Sequence, residues 1–216
     1  MPRIRTITTM TELNAALTAA FNAINEHFYN NELEKVVITF KEGARKSKYG
    51  WTEMHKQWVQ GKNERYEINI SVDYIGTRSV ENTIGTLMHE MAHLYNLINN
   101  IKDTSRGGVY HNKKFKETAE AHGLKIDFHE AIGWSLTSLP DSTKEWIKNN
   151  INIKGINIYK RIAEQAPKGK SKKQSMKKLI CPLCSNIVRV TKDISVMCGE
   201  CTTDNNFVYF TEATEN

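Results

Sequence analysis

The pentapeptide His89-Glu90-Met91-Ala92-His93 constrains this chain more than any other feature. Two histidines four residues apart on an α-helix project from the same face, so both imidazoles can reach one metal ion. The glutamate between them sits one step round the helix, near the metal but outside its ligand set. From there it can act as a base on water that a zinc ion has made acidic. The bland alternative is a helix with two exposed histidines and an incidental glutamate. The context argues against it. Val80, Ile84, Leu87, Met88, Met91 and Leu94 recur at helical spacing, and with Ser79 as cap they predict an apolar-striped helix running to about Asn99.

A catalytic zinc takes three protein ligands and keeps one position for water. The continuation HExxHxxGxxH is absent, because Asn96 and Asn99 stand where its glycine and histidine fall. Candidates for the third ligand are His111, Glu117, Glu120, His122 and His129. His111 opens a predicted helix (about 112–122) just after a loop, where the chain can fold back. Glu120 is the gluzincin-style alternative. His122 precedes Gly123 and reads as a partner of the helix C-terminus. His129 has no motif around it.

The remaining elements are coarser. Leu13, Leu17, Phe21, Ile24 and Phe28 mark a helix over 11–28, with Thr11 as its cap. VVITF (36–40) is β-branched and short, a buried strand. A hairpin follows, turning around QGKNE (60–64), with its second strand over 66–72. There Tyr66, Ile68, Ile70 and Val72 alternate with Glu67, Asn69 and Ser71, as in a half-buried strand. NNIKDTSRGGVY (99–110) reads as a loop. Past Pro140, weak helical periodicity runs over 142–165 around Trp146, Ile147 and Ile151. No internal repeat and no apolar run of about 18 to 20 residues is present.

A second metal signal closes the chain. Cys181-Pro-Leu-Cys184 and Cys198-Gly-Glu-Cys201 are all four cysteines of the 216 residues. Each CxxC makes a tight knuckle presenting two thiolates, and two knuckles complete a closed tetrahedral site with no water position, hence a structural zinc. A redox dithiol is the rival reading. IVRV (187–190) and ISVM (194–197) between the knuckles are the expected strands of a zinc ribbon. Arg189, Lys192, Phe207, Tyr209 and Phe210 suit phosphate contact and base stacking, or the aromatics pack the ribbon.

Over 160–178 eight basic residues face the single acid Glu164, giving +7, while the whole chain is +6. The basicity is therefore that of one segment, for which nucleic acid is the natural partner and a solvated linker the bland alternative. Within it APKGKSKKQSMKK (166–178) has no apolar periodicity and reads as a flexible linker. MPRIRTITTMTEL lacks an apolar stretch of signal-peptide length, so secretion is not expected.

The order EINI (67–70), TLMHEMAHLYN (86–96), YHNKKFKETAEAHGL (110–124), GWSLTSL (133–139), CPLC and CGEC resembles the SprT-like family of zinc metallopeptidases, which includes the Spartan proteases of DNA–protein crosslink repair. The resemblance covers roughly 10–139 and 179–210. In that family the third ligand is a histidine opening a helix, followed by glycine and, four residues on, phenylalanine. His111 and Phe115 match, while Asn112 stands in place of the glycine. By position the resemblance implies His89, His93 and His111 as ligands of a catalytic zinc and Glu90 as general base. It also implies a minimal zincin-like domain of α+β class, helices on a small antiparallel sheet, with an edge strand beside the active-site helix to which a substrate backbone adds. The segment 66–72 is the candidate edge.

The expected organisation is a protease domain over 1–165, a basic linker over 166–178 and a four-cysteine zinc ribbon over 179–216. The expected activity is zinc-dependent proteolysis of DNA-associated or DNA-crosslinked proteins, with linker and ribbon engaging DNA. The expected location is the cytoplasm, at the nucleoid. Two rivals stand: a nucleic-acid-binding or regulatory zinc protein with a structural or vestigial HExxH site, and a regulatory protease independent of DNA.

Overall fold

The structure, a computed structural model, describes residues 5–43, 48–156 and 176–212. The chain divides into two compact units, Met1–Ala163 and Glu164–Asn216. The first opens with β1 (Arg5–Ile7) and α1 (Met10–Tyr29). The cap of α1 is Thr9, two residues before Thr11. Thr9 has Glu12 at the third helical position, so the two exchange hydrogen bonds in a capping box, whereas Thr11 would have Asn14 there. Asn14 instead donates to the carbonyl of Ile38 at 2.7 Å.

Next come β2 (Val37–Lys41), β3 (Gly50–Thr52), β4 (Trp58–Gln60), β5 (Asn63–Arg65) and β6 (Glu67–Ser71). β4 and β5 form a two-stranded hairpin of their own. The order of the main sheet is β2-β6-β3, parallel on one side of β6 and antiparallel on the other. The small antiparallel sheet expected from the sequence is thus mixed, because 42–66 folds β3 and the hairpin before returning as β6 in the direction of β2. The strand at 67–71 is also the centre of the sheet, not its edge. Ile68 and Ile70 enter the core, and Glu67, Asn69 and Ser71 on the other face are buried too. Glu67 is held there by Lys41, Thr39 and the Trp58 indole. Only Ile38 of β2 is buried, fewer than the sequence pattern suggests.

α2 (Val80–Ile98) is capped by Ser79, whose side chain accepts from the amide of Asn82. After it the expected loop holds a short hairpin, β7 (Thr104–Ser105) and β8 (Tyr110–His111). α3 (Lys113–Ala121), β9 (Lys125–His129), β10 (Gly133–Ser138), α4 (Asp141–Asn150) and β11 (Ile153–Ile156) complete the unit. A second sheet has the order β7-β8-β10-β9, and β11 pairs in parallel with β1. The helix expected over 142–165 therefore ends at Asn150, and 157–165 lies outside the described residues. Leu13, Leu17, Phe21 and Ile24 of α1 and Ile84, Leu87, Met88, Met91 and Leu94 of α2 meet Ile68, Ile70 and Phe115 in one core. At about 25 cal/mol per Å² this apolar burial is what fixes α2 in place.

The second unit contains β12 (Lys177–Ile180), β13 (Ile187–Val190) and β14 (Thr211–Glu212), in the order β13-β12-β14. IVRV forms a strand as expected. ISVM does not: it keeps one isolated bridge, Met197 to Tyr209, since its end is bent into the second knuckle. Among the described residues no helix is long and apolar enough to cross a membrane.

Candidate metal centres

Three imidazoles converge beside α2. His111 Nε2 lies 3.3 Å from His89 Nε2 and 3.0 Å from His93 Nε2. Three nitrogens bound at 2.0–2.1 Å in tetrahedral geometry stand about 3.3 Å apart, close to the two distances from His111, and all three ligand atoms lie within 4.8 Å of one another. The tautomers agree with a metal. His93 Nδ1 is 2.7 Å from Asp103 Oδ2 and His89 Nδ1 is 2.6 Å from Thr137 Oγ1, so protons on these two Nδ1 atoms have partners behind and the Nε2 lone pairs face the centre, whereas the buried Nδ1 of His111 has no partner. Burial, then the neighbouring imidazoles of His93 and His111, push His89 well below the ordinary histidine value. Burial and His93 lower His111 to about 4. Both rings are thus neutral, as ligands must be.

His111 is delivered from outside α2 by a segment that is tied at both ends. The amide of Asn112 donates to the Asp103 carbonyl and its side chain donates to the Lys102 carbonyl. The same side chain caps α3, accepting from the amides of Lys114 and Phe115. Asn112, where the family has glycine, is therefore a working N-cap. On the other side β10 runs against β8: His111 N donates to Ile132 O, and Gly133 pairs with His111. Gly133 has φ +72°, and a Cβ there would stand 2.1 Å from the His111 carbonyl oxygen. Tyr110 packs against Gly133 and under Arg106.

Glu90 is 4% exposed. Burial raises its pKa, opposed by His93, by the hydroxyl of Thr52 and by Lys48. Thr52 Oγ1 is 3.1 Å from Glu90 Oε2 and 2.9 Å from Glu90 O. The strand that runs beside the helix is therefore β3, at the edge of its sheet. Gly50 permits the approach: a Cβ there would meet Asn69 O and Thr86 Cγ2 at 2.9 Å and Glu90 Cγ at 3.2 Å. The alternation of 66–72 is what points to an edge strand in the sequence, whereas β3 is three residues long and has no apolar alternation. The neighbours of the site that sequence did not find, Thr52, Asp103 and Thr137, lie in a strand, a loop and a strand with no motif of their own.

The other candidate ligands lie elsewhere. Glu117 is exposed, Glu120 faces Lys116 at 3.9 Å, His122 stacks on Tyr29 at 4.0 Å, and His129 accepts from the amide of Ala131. Among the described residues the two groups able to hold a metal are His89–His93–His111 and the four cysteines. All four thiols are free of disulfides, and Cys184 Sγ is 3.6 Å from Cys198 Sγ. Sulfurs around a tetrahedral zinc at 2.3 Å stand about 3.8 Å apart. The amides of Cys184 and Leu183 turn toward Cys181 and lower it to about 6, while the adjoining thiol of Cys184 pushes Cys201 up to about 12. Cys181, Cys198 and Val208 form the small core of this unit with Phe210, whereas Phe207 and Tyr209 are exposed. Residues 166–175 of the basic segment lie outside the described residues.

A helix with two imidazoles on one face and a carboxylate between them, completed by a third imidazole from a fastened loop, is a group able to hold a metal ion, of the kind metallopeptidases use. The family model of the SprT-like family matches residues 17–132, more than half of the sequence. The chain belongs to the SprT-like family. No curated protein and no solved structure matches it significantly.

Proposed function

We propose that the chain is a zinc-dependent endopeptidase acting on proteins associated with or crosslinked to DNA, in the cytoplasm, with a zincin-like catalytic domain over 1–165, a basic tether over 166–178 and a structural-zinc ribbon over 179–216. One observation carries the peptidase reading: His111 Nε2 stands 3.3 and 3.0 Å from the Nε2 atoms of His89 and His93, on the helix that also carries the buried carboxylate of Glu90. A zinc ion held by His89, His93 and His111 supplies Lewis acidity, polarising a carbonyl and making water acidic.

The chain's own groups do the rest. A substrate in extended form adds to β3, which holds the scissile peptide along α2. Glu90 takes a proton from the attacking water as the new C–O bond forms. The same carboxyl then gives that proton to the leaving amine nitrogen as the C–N bond breaks. Asp103 and Thr137 keep the Nδ1 protons of His93 and His89 directed away from the centre throughout.

The DNA part rests on chemistry at the surface. The ribbon exposes the aromatics Phe207 and Tyr209 and the cations Arg189 and Lys192, residue types suited to stacking and phosphate contact on single strands. The tether adds further positive charge.

Gel-resolved cleavage of the protein itself and of a DNA-binding substrate, with and without DNA, tests the whole reading in wild type and Glu90→Gln. DNA-stimulated cleavage lost in Glu90→Gln is the expected result. Cleavage indifferent to DNA favours a regulatory protease instead, and no cleavage under any condition favours a binding protein with a non-catalytic metal.

A further inference from the structure

We propose that Thr52 is a positioning residue that sets Glu90 for proton transfer from the same strand that receives the substrate. The inference rests on the peptidase reading of this site. It starts from the register of β3. Glu53 N donates to Glu67 O and Ser71 N donates to Tyr49 O, so the hydrogen-bonded pairs with β6 are Tyr49–Ser71, Trp51–Asn69 and Glu53–Glu67. The N–H and C=O groups of Gly50 and Thr52 consequently face the free edge of the sheet. Among the described residues nothing pairs with them.

Side chains alternate independently of this. Gly50 and Thr52, two apart, share the face turned to α2, where one leaves room for the helix and the other reaches it. Thr52 thus points its backbone outward, where a peptide can pair, and its hydroxyl inward, onto the base. The hydroxyl has one proton and two acceptors in range, Glu90 O and Glu90 Oε2. The carbonyl already lies within the helical ladder of α2, and the ionised carboxylate is the stronger acceptor. Among the described residues Thr52 is the one hydrogen-bond donor to that carboxylate. With a single donor, the rotamer of Glu90 follows the position of β3. A peptide that adds to the edge straightens and stiffens the strand, and through Thr52 it steadies the base against the scissile bond.

This division of labour predicts which kinetic constant moves. Thr52→Val keeps the β-branched shape and the backbone groups but removes the proton, so peptide binding is retained and the chemical step suffers. A hydrogen bond to a charged group is worth about 1.5–3 kcal/mol, or roughly 10- to 150-fold in rate when it acts only in the chemical step. Thr52→Ser restores the hydroxyl.

The experiment measures kcat and KM of the zinc-loaded full chain on a fluorescein-labelled DNA-binding protein with DNA present, for wild type, Thr52→Val, Thr52→Ser and Glu90→Gln, with metal content recorded for each. A double-mutant cycle on melting temperature, Thr52→Val against Glu90→Gln in the metal-free protein, runs beside it and needs no turnover. Expected are a kcat at least roughly tenfold lower in Thr52→Val at unchanged KM and unchanged metal content, recovery in Thr52→Ser, and a non-additive cycle. Wild-type kcat in Thr52→Val, an equal loss in Thr52→Ser, a change confined to KM, or an additive cycle overturns the proposal alone. Wild type that cleaves no faster than Glu90→Gln overturns the peptidase reading and the proposal with it.

Discussion

Asp103 Oδ2 stands 2.7 Å from His93 Nδ1 and 3.1 Å from the amide nitrogen of the Asn96 side chain. The oxygen of Asn96 in turn accepts from Thr118 Oγ1 at 2.7 Å, so one buried chain of polar groups joins α2, the segment after it and α3. Burial pushes the Asp103 carboxyl up, but the hydrogen bonds from His93 and Asn96 outweigh it and hold the group ionised, below the usual carboxylate range. An ionised Asp103 fixes the His93 proton on Nδ1 and leaves Nε2 free to bind.

Replacing Asp103 with alanine should therefore weaken metal binding at the histidine centre by roughly 10- to 100-fold, the order found for partners of metal-bound histidine. Competition with a chromophoric chelator measures this directly. An affinity equal to wild type would show that Asn96 and the packing of α2 suffice to orient His93.

Gly133→Ala should be costly. The added Cβ would stand 2.1 Å from the His111 carbonyl, and φ +72° disfavours any side chain. We expect a loss of more than about 2 kcal/mol in urea unfolding of the metal-free protein, together with reduced metal stoichiometry, since β8 must move and take His111 with it.

Acid should destabilise the metal-free fold. His89 is held well below its ordinary value and His111 is lowered to about 4, whereas both titrate near 6.5 in an unfolded chain. Between those values the unfolded chain binds protons that the folded one refuses, so stability rises with pH there. It is fully present above about pH 6.5 and is lost as pH falls toward about 4. Melting temperature against pH in the presence of a chelator follows the effect, and His111→Ala should flatten the profile.

Removing metal from the cysteine cluster should unfold that unit while the first unit stays folded. The buried core of the second unit is Cys181, Cys198 and Val208, too small to hold three short strands together, whereas the first unit has its own extended core. Cys184→Ser, read by amide NMR of the full chain, should collapse the dispersion of residues 177–212 and leave signals of α1 and α2 in place.

The histidine helix was legible because its information is local: spacing within α2, a serine cap and an apolar stripe are all read along one stretch of chain. His111 and Asn112 were partly legible, through a helix start. The neighbours that tune the centre were not. Asp103 lies in a stretch whose asparagines and glycines signal only a loop, and its partners are 10 and 7 residues away across a turn. The wrong edge strand has a physical cause as well. Glu67, Asn69 and Ser71 look like a solvent-facing row, but Lys41, Thr39 and Trp58, all from other strands, cover Glu67. Polar alternation reports which residues lack apolar surface, not which ones meet water. In the second unit the two CxxC pairs marked the cluster, while the irregular path of 194–197 follows from knuckle geometry that periodicity does not describe.

The fastening of the segment between His93 and His111 separates the two centres in time. These ligands are 18 positions apart, and the contacts of Asp103 and Asn112 already hold that loop closed, so the entropy of closing it is borne by folding and not by the arriving ion. An ion arriving there would meet a finished socket, and its capture would be paced by how fast it sheds its water. At the cysteine cluster ion and chain must find their shape together, and release waits for the strands to open. With both sites loaded, one protein would keep two clocks: a histidine centre able to exchange its ion without moving, and a cysteine centre whose ion would stay for as long as the ribbon does.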